Sequence, residues 1–132
     1  ALSFHPFEIL LSMGIKFVVV AMLGIPPEAA LLFETLLNAS AMFNHGNINL
    51  PARIDRLLRY ILVTPDMHRV HHSTIAAETN SNYGFNIPVW DRLFGSYRAQ
   101  PVEGHQDMRI GLNEFRKPDD VRLDKMLVQP FR

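Results

Sequence analysis

The chain reads TPDMHRVHHS from residue 64 to residue 73, and the beginning of this stretch predicts a helix. Thr64 can accept a hydrogen bond as the N-cap, and Pro65 suits the first helical position because it has no N–H to lose. Asp66 lies where the helix dipole favours a negative charge. We therefore expect a helix that begins just after Thr64 and carries the residues that follow it.

Three histidines in the same stretch have spacings that place them on one face of that helix: His68, His71 and His72. Residues at i, i+3 and i+4 lie about one turn apart, so the three imidazoles can reach one small volume. Neutral imidazole binds iron, zinc, copper and nickel, so the pattern predicts a metal site without naming the metal. The alternative is that the histidines share a face by chance. By pattern alone, His45 is a helix-terminal histidine, and His5 and His105 show no special spacing.

The composition narrows the classes of function. The formal net charge of the 132-residue chain is zero, so no general electrostatic attraction to nucleic acid is expected. The lack of cysteine excludes disulfides, thiolate zinc sites and cysteine-ligated iron–sulfur clusters. The chain also lacks Glu-x-x-His, H-E-x-x-H, G-x-S-x-G and a glycine-rich phosphate loop. An all-histidine metal site is therefore the main chemical signal.

Two apolar stretches precede the histidines. The first runs from Ile9 to Ile25 with one charged residue, Lys16, and the second runs from Ala29 to Phe43 with one acidic residue, Glu34. A Gly-Ile-Pro-Pro sequence separates them, so together they predict a helical hairpin. Each is slightly shorter than the roughly 20 residues that span a bilayer. Hydropathy alone leaves two interpretations open, a hairpin inserted in a membrane and the core of a soluble bundle.

The residues from Pro51 to Leu62 predict an amphipathic helix, because aliphatic residues repeat there at helical spacing and arginines occupy other positions. Such a helix can lie on an anionic membrane surface, although an ordinary protein surface is the commoner place for it. Further along, a short helix is expected from Pro88 to Phe94, with Gly95 to end it. The polar tail after Arg98 is expected to be irregular, with a last short helix from Asp119 to Val128.

Several motifs, taken in order, resemble the C-terminal signature of the fatty-acid-hydroxylase and sterol-desaturase superfamily. They are FHPFE at 4–8, FNHGN at 43–47, the 64–73 stretch, NYG at 82–84, WDRLFGSY at 90–97 and IGL at 110–112. The resemblance covers nearly the whole chain. It implies a multi-pass integral membrane enzyme whose histidines hold two iron ions, for which zinc can substitute, at the cytoplasmic face. With O2, such enzymes hydroxylate or desaturate a lipid substrate such as a sterol or a fatty acid. Electrons come from a carrier such as cytochrome b5 or ferredoxin and its reductase.

Carried over residue by residue, the resemblance assigns four metal ligands: His45, His68, His71 and His72. It also assigns supporting residues around the site: His5, Asn82, Tyr83, Trp90 and Asp91. For Asp91 the expected role is to accept a hydrogen bond from an imidazole N–H, which would fix the orientation of a ligand. An equally open role for Asp91 is the stabilisation of its own helix. No catalytic residue beyond the metal ligands is implied.

One departure from the superfamily pattern bears on the extent of the domain. Two earlier histidine boxes, of H-x-x-x-H and H-x-x-H-H type, lie upstream of the FHPFE motif in the superfamily and are absent here. We therefore expect residues 1–132 to be a single domain that forms the C-terminal part of a longer enzyme. Its parts are an apolar hairpin at 1–45, a histidine region at 46–98 and a polar tail at 99–132. Alone, this part is not expected to have oxygenase activity.

The predicted fold is all-α. It comprises a membrane helical hairpin, an amphipathic helix, a cytosolic cap of short histidine-bearing helices and an irregular C-terminal tail. Two other functions stay open at this point. One is a mononuclear zinc hydrolase with three histidine ligands and a carboxylate base, for which Asp66 and Glu78 are the nearest candidates. The other is a non-catalytic, membrane-associated helical module with vestigial histidines.

Overall fold

The computed structural model describes residues 5–131, and within that range it contains helices and no strand. The α-helices are α1 (Pro6–Leu23), α2 (Pro27–Asn44), α3 (Ala52–Leu58), α4 (Pro65–His71), α5 (Ala76–Thr79), α6 (Val89–Phe94), α7 (Gly104–Asp107) and α8 (Leu123–Met126). Short 3-10 helices occupy Pro118–Val121 and Gln129–Phe131. The prediction of an all-helical fold is confirmed for the described residues.

The chain divides into two compact units, one of residues 1–36 with 114–132 and the other of residues 37–113. In the first unit, His5 is the N-cap of α1, because its Nδ1 accepts a hydrogen bond from the Phe7 N–H at 3.3 Å. The other ring nitrogen of His5 lies 3.0 Å from the carbonyl oxygen of Leu127. Gly24 ends α1 in the left-handed conformation, at φ 61°. The proline-rich turn therefore falls where the sequence predicted it.

Among residues 5–131, α1 alone is long and apolar enough to cross a membrane, judged by length and composition. None of its residues is buried. In α2, which also has 18 residues, the apolar composition is diluted by polar side chains. The charged residues that interrupt the two helices pair with each other, since Lys16 Nζ lies 2.7 Å from Glu34 Oε1.

The second unit is built around α4, and its start follows the predicted capping pattern. Thr64 is buried in an extended conformation, and its hydroxyl accepts a hydrogen bond from the Met67 N–H. Met67 and Val70 are fully buried on the inner face of this helix. The other end of α4 is held by the late IGL motif, because the Gly111 N–H donates to the carbonyl oxygen of His72 at 2.9 Å.

Two predicted helix boundaries were wrong. The helix expected from 51 to 62 ends at Leu58. The N–H groups of Tyr60 and Ile61 donate to carbonyl oxygens three residues back instead of four, and the Val63 N–H donates to the Asn86 carbonyl oxygen. The last helix, expected from 119 to 128, is split into a 3-10 turn and α8 by the extended residue Arg122. The helix before Gly95 agrees with its prediction apart from Pro88, which precedes it as the N-cap.

Asn82 connects α4 to the chain that follows α6. It is fully buried with φ 49°, a left-handed conformation that asparagine tolerates better than most residues. Its side-chain amide donates to the carbonyl oxygens of Met67 and Arg98, at 2.9 and 2.8 Å. Its side-chain oxygen accepts from the Arg98 N–H at 2.8 Å. One side chain thus satisfies three backbone groups in the interior.

Replacing Asn82 should therefore destabilise the protein strongly. Asn82→Ala removes the partners of the part-buried backbone groups of residue 98 and puts a less suitable residue at positive φ, so the free energy of unfolding should fall by about 3 kcal/mol. Thermal unfolding of the detergent-solubilised protein measures this change. The matched control is the exposed neighbour Asn80, for which Asn80→Ala should cost less than about 1 kcal/mol. Equal effects of the two substitutions would contradict the assigned role of Asn82.

Candidate metal centre

Three imidazoles converge in the second unit: those of His45, His68 and His72. The Nε2 atom of His45 lies 3.3 Å from Nε2 of His68 and 3.3 Å from Nε2 of His72, and the last two atoms are 3.1 Å apart. His45 comes from the C-terminal end of α2, while His68 and His72 lie on α4 and directly after it. The structure thus brings residues that are 23 to 27 positions apart in the chain to one point.

The protonation of His45 follows from its other nitrogen. Its Nδ1 lies 2.8 Å from the carbonyl oxygen of Ala41. Because a carbonyl oxygen can only accept, Nδ1 carries the proton and the Nε2 lone pair faces the other two histidines. A backbone contact of this kind is the usual way to fix the orientation of a metal-bound imidazole.

The spacing of the three nitrogens fits a single metal ion. Metal–nitrogen distances to imidazole are about 2.0–2.1 Å, so two nitrogens at a tetrahedral angle on one ion lie about 3.3 Å apart. The observed separations of 3.1–3.3 Å match that value. In His68, by contrast, Nδ1 is buried without a hydrogen-bond partner, so this ring lacks the backbone contact that orients His45. An imidazole whose Nε2 binds a cation keeps its proton on Nδ1, which makes the unpartnered atom the N–H and leaves Nε2 as the donor to the metal.

His71 lies beside these three residues and has a different environment. Its Nδ1 is 2.9 Å from the carbonyl oxygen of Ser81, so the proton is on Nδ1 and Nε2 is free to bind. Its ring centroid lies 5.5 Å from that of His72 and 5.7 Å from that of His68. The exposed ring of Tyr83 packs edge-on against it at 5.7 Å. His71 therefore presents a separate unprotonated nitrogen next to the converging three.

Two of the histidines, His68 and His72, are held toward the neutral form that metal binding requires. Burial, together with the neighbouring His72, His45 and His71, lowers the pKa of His68 from 6.5 to about 3. Burial and the neighbouring His45 and His71 also lower the pKa of His72. At neutral pH the lone pairs are thus available, and no proton has to be displaced from His68 before a cation binds.

The loop that carries the Ser81 carbonyl is anchored by Asp91. One carboxylate oxygen accepts from the Tyr83 N–H at 2.8 Å and the Ser96 hydroxyl at 2.6 Å, and the other accepts from the Gly84 N–H at 2.8 Å. Both oxygens of this buried residue thus accept hydrogen bonds, from the loop at residues 83 and 84 and from Ser96 after α6. These hydrogen bonds hold the loop, and an imidazole contact, which was one of the two roles open for Asp91, is not among them.

Gly84 makes this close approach possible. A Cβ atom at position 84 would lie 2.7 Å from Asp91 Oδ2 and 2.7 Å from the carbonyl oxygen of Ile87. Neither contact can be relieved without moving the loop, because one atom is hydrogen-bonded to the Gly84 N–H and the other is backbone. The NYG motif is therefore explained by packing as well as by hydrogen bonding.

The remaining predicted supporting residues take different positions. Asn82 and Tyr83 lie next to α4 and His71, as described above. Trp90 is 55% exposed, and its ring stacks on Phe94. His5 belongs to the first unit, where each of its ring nitrogens has a backbone partner.

The carboxylates proposed for a zinc hydrolase are bound elsewhere. Asp66 pairs with Arg69 at 2.9 Å. Glu78 is fully buried, and its Oε1 accepts from the Val102 N–H at 2.6 Å. Burial would raise the pKa of Glu78, but hydrogen bonds from the Ser73 side chain and the Val102 N–H, with the charge of Arg98, lower it overall. Glu78 is thus an ionised structural anchor for the chain after residue 98.

Sequence reasoning missed the groups that fix the histidines. The carbonyl oxygens of Ala41 and Ser81 orient His45 and His71, and a backbone carbonyl leaves no residue-type signal in a sequence. The i−4 position of Ala41 relative to His45 is the one clue, because a histidine in the last turn of a helix can donate to that carbonyl.

Comparison with known proteins gives a family and several relatives. Residues 1–96 match the family model described as fatty acid hydroxylase. An ornithine lipid hydroxylase from Rhizobium tropici is 30% identical over 107 residues, which are 81% of this chain and 31% of that protein. Alkylglycerol monooxygenase from Xenopus tropicalis is 45% identical over 66 residues, or 50% of this chain and 15% of that protein. The human alkylglycerol monooxygenase is 33% identical over 58 residues, or 44% and 13% of the two chains. This chain spans less than a third of the length of each relative, and no solved structure matches it.

The lowered pKa of His68 predicts how the stability of the metal-free protein depends on pH. Between pH 6.5 and about 3 the unfolded chain binds a proton at this residue that the folded protein does not, so stability should fall as the pH falls through that range. The contribution of one such group is at most about 1.4 kcal/mol per pH unit.

Chemical denaturation at a series of pH values, with chelator present, measures the slope. The variant His68→Gln keeps a polar side chain without the titrating group and should flatten the pH dependence. His5→Gln removes an imidazole outside the cluster and serves as the control. An unchanged slope in His68→Gln would show that burial of this histidine does not set the acid stability.

Proposed function

Because this chain belongs to the fatty acid hydroxylase family, we propose that it forms the C-terminal part of a membrane-bound, non-haem di-iron enzyme. In this proposal the enzyme uses O2 and a reductant to hydroxylate or desaturate a lipid. The observation that carries the proposal is the convergence of the three Nε2 atoms of His45, His68 and His72 at a spacing that suits one metal ion. The family is generally iron-dependent, whereas three imidazoles alone do not distinguish iron from zinc.

The ligand roles are assigned from the positions of the nitrogens. His45, His68 and His72 would hold one ion, and the free Nε2 of His71 would serve a second ion together with histidines from elsewhere in the enzyme. Iron bound there supplies the oxidant that an unreactive C–H bond requires and that no amino-acid side chain can provide. In hydroxylation, one oxygen atom of O2 enters the C–H bond, and two electrons and two protons reduce the other to water.

The protein groups around the site have separate tasks in this proposal. The carbonyl oxygens of Ala41 and Ser81 keep His45 and His71 in the tautomer that exposes Nε2. Burial keeps His68 neutral and excludes water from its side of the site. Asp91 and Gly84 hold the loop that carries the Ser81 carbonyl. No titrating side chain is needed as an acid or base in the described residues.

The relatives support a lipid substrate. All three are named for a lipid, one for ornithine lipid and two for alkylglycerol, and both lipids combine a polar head with alkyl chains. An amphiphilic lipid of this kind is therefore the proposed substrate class. Hydroxylation with O2 consumes two electrons, and in this proposal they come from a carrier protein such as cytochrome b5 or ferredoxin with its reductase, as the resemblance to the family implies.

A membrane location is supported by α1, whose exposed apolar surface is that of a helix placed in lipid. With α2 it would form the predicted membrane hairpin, in which the Lys16–Glu34 pair neutralises both charges. The site is proposed to face the cytoplasm. The short span of the chain relative to its relatives supports the proposal that residues 1–132 are the end of a longer domain. The upstream part would then supply the missing histidines.

Metal analysis of the full-length enzyme tests the ligand assignment. Wild type should contain about two iron ions per chain, and His71→Ala and His72→Ala should each lose iron, since each removes a donor nitrogen. His105→Gln, which changes a histidine outside the cluster, is the matched control and should keep the full content. One zinc per chain would favour the hydrolase, and a well-folded protein without metal would leave a non-catalytic module.

The reaction itself is tested by isotope labelling. Full-length enzyme in native membranes, given 18O2 and a reductant, should yield a hydroxylated lipid that carries the label, and labelled water should not label it. His45→Ala should lower the rate by more than the roughly 10- to 100-fold that loss of an outer-sphere partner costs. Product formation without O2 would overturn the oxygenase assignment, and an unsaturated product would select desaturation over hydroxylation.

A further inference from the structure

After α6 the chain returns to α4, and we call residues 98–111 the strap. Its start is fixed by Asn82, whose side chain bonds to both the N–H and the carbonyl oxygen of Arg98. Further along, the Val102 N–H donates to Glu78 Oε1 at 2.6 Å, and helix α7 of the strap packs against α4. Directed hydrogen bonds therefore tie the strap to the part of the unit that carries the histidines.

The strap ends in a short antiparallel pairing with the chain that leaves α4. The Thr74 N–H donates to the carbonyl oxygen of Arg109 at 2.9 Å, and the Gly111 N–H donates to the carbonyl oxygen of His72 at 2.9 Å. We call these two hydrogen bonds the clip. One of them thus ends on the backbone of a residue whose imidazole belongs to the converging three.

The clip supplies a support for His72 that the other histidines obtain in a different way. His45 and His71 each have a ring nitrogen bonded to a backbone carbonyl oxygen. Among the described residues, none bonds to the Nδ1 of His72, which comes directly after the last residue of α4. The position of its backbone therefore sets the direction of the ring. Its N–H bonds back into α4, and the clip holds its carbonyl side.

We propose that the strap is a positioning element of the metal centre, and that the clip keeps His72 Nε2 in place for an ion shared with His45 and His68. This inference rests on the proposed metal-binding role of the histidines, but not on iron, O2 or a lipid substrate. A metal site has to hold its donor atoms within about 0.5 Å of their bonding positions. Opening the clip should therefore weaken metal binding, although the strap supplies none of the three nitrogens. The match to the family model ends at residue 96, so it gives the strap no role.

Gly111 offers a substitution that opens the clip without changing a histidine. Its φ is 100°, which a residue with a side chain adopts only at a cost, and a Cβ atom there would meet nothing within 4 Å beyond its chain neighbours. In Gly111→Ala the backbone should leave this conformation and withdraw its N–H from His72. The matched control is Gly24→Ala, because Gly24 also has a positive φ, 61°, and open space around it, but belongs to the first unit.

Cobalt(II) is the probe for the affinity of the site. Full-length enzyme in detergent is stripped of metal with chelator and titrated with cobalt(II) chloride, and visible absorption records the bound ion. Gly24→Ala should bind cobalt as wild type does. Gly111→Ala should bind it at least about 10-fold more weakly, the lower end of what loss of an outer-sphere support costs, with far-UV circular dichroism unchanged. Equal affinities in the two glycine variants would overturn the proposal.

A double-mutant cycle separates positioning of His72 from a general loosening of the unit. In enzyme that already carries His72→Ala there is no ring left to position, so adding Gly111→Ala should change the cobalt affinity by less than about twofold. A 10-fold loss in that background as well would show that the clip acts through the fold alone, and would overturn the proposal.

Amide hydrogen exchange of the wild type tests the same coupling in the other direction. If opening the clip weakens metal binding, bound cobalt must oppose that opening by the same factor. Saturating cobalt should therefore slow exchange of the Gly111 and Thr74 amides about 10-fold, and unchanged exchange would contradict the proposal. Cobalt binding of this pattern in an enzyme that forms no O2-dependent product would count against the proposed function and leave the role of the clip intact. A wild type that binds no cobalt would overturn the ligand assignment and this inference together.

Discussion

Three imidazole nitrogens held 3.1–3.3 Å apart form the constraint around which the second unit is organised. His45 contributes its Nε2 lone pair, and lone pairs that face one another at this distance repel unless a proton or a cation lies between them. The protein maintains the arrangement with rigid backbone contacts. His45 is tied to its own helix through Ala41, and α4 is fixed at its start by Thr64 and at its end by Gly111. A cation would turn this unfavourable arrangement into a stable one.

The interior that supports this cluster relies on hydrogen bonds more than on apolar packing. Its buried apolar side chains are few, whereas Asn82, Asp91 and Glu78 are all buried and bind backbone groups of the loops around α4. Loss of the hydrogen-bond partners of any of these residues would destabilise the fold, because an unsatisfied buried polar group costs about 1–3 kcal/mol. These bonds have defined directions, so they hold the loops in one conformation. That is the property a site made of loop carbonyls and imidazoles requires.

The sequence was sufficient to predict α4 and the grouping of its histidines, because a cap and an i, i+3, i+4 spacing are local features. It could not separate His71 from His68 and His72, since all three have the same helical spacing and only the Ser81 carbonyl distinguishes them. His45 was assigned by resemblance, because nothing local identifies a histidine brought in from another helix. Periodicity also identified the two faces of the helix after Pro51, but not which face is inside. The inner face is set by the ion pair of Asp55 with Arg59. Arg59 also donates to the carbonyl oxygen of Ala99, which lies 40 residues further along the chain.

Several apolar side chains of α3 and α6 are exposed, among them Leu57 and Leu93, and this exposure has an energetic consequence for the proposed function. A lipid chain that crossed water on its way to the histidines would lose about 0.8 kcal/mol for each CH2 group exposed. That cost would exceed ordinary substrate binding energies for a long alkyl chain. If the apolar surface beside α4 lies in the bilayer, the chain can pass from lipid to protein without being hydrated. Burying Asp55, Arg59 and Asp91 leaves apolar residues of α3 and α6 exposed, which is the arrangement that the proposed membrane location would use.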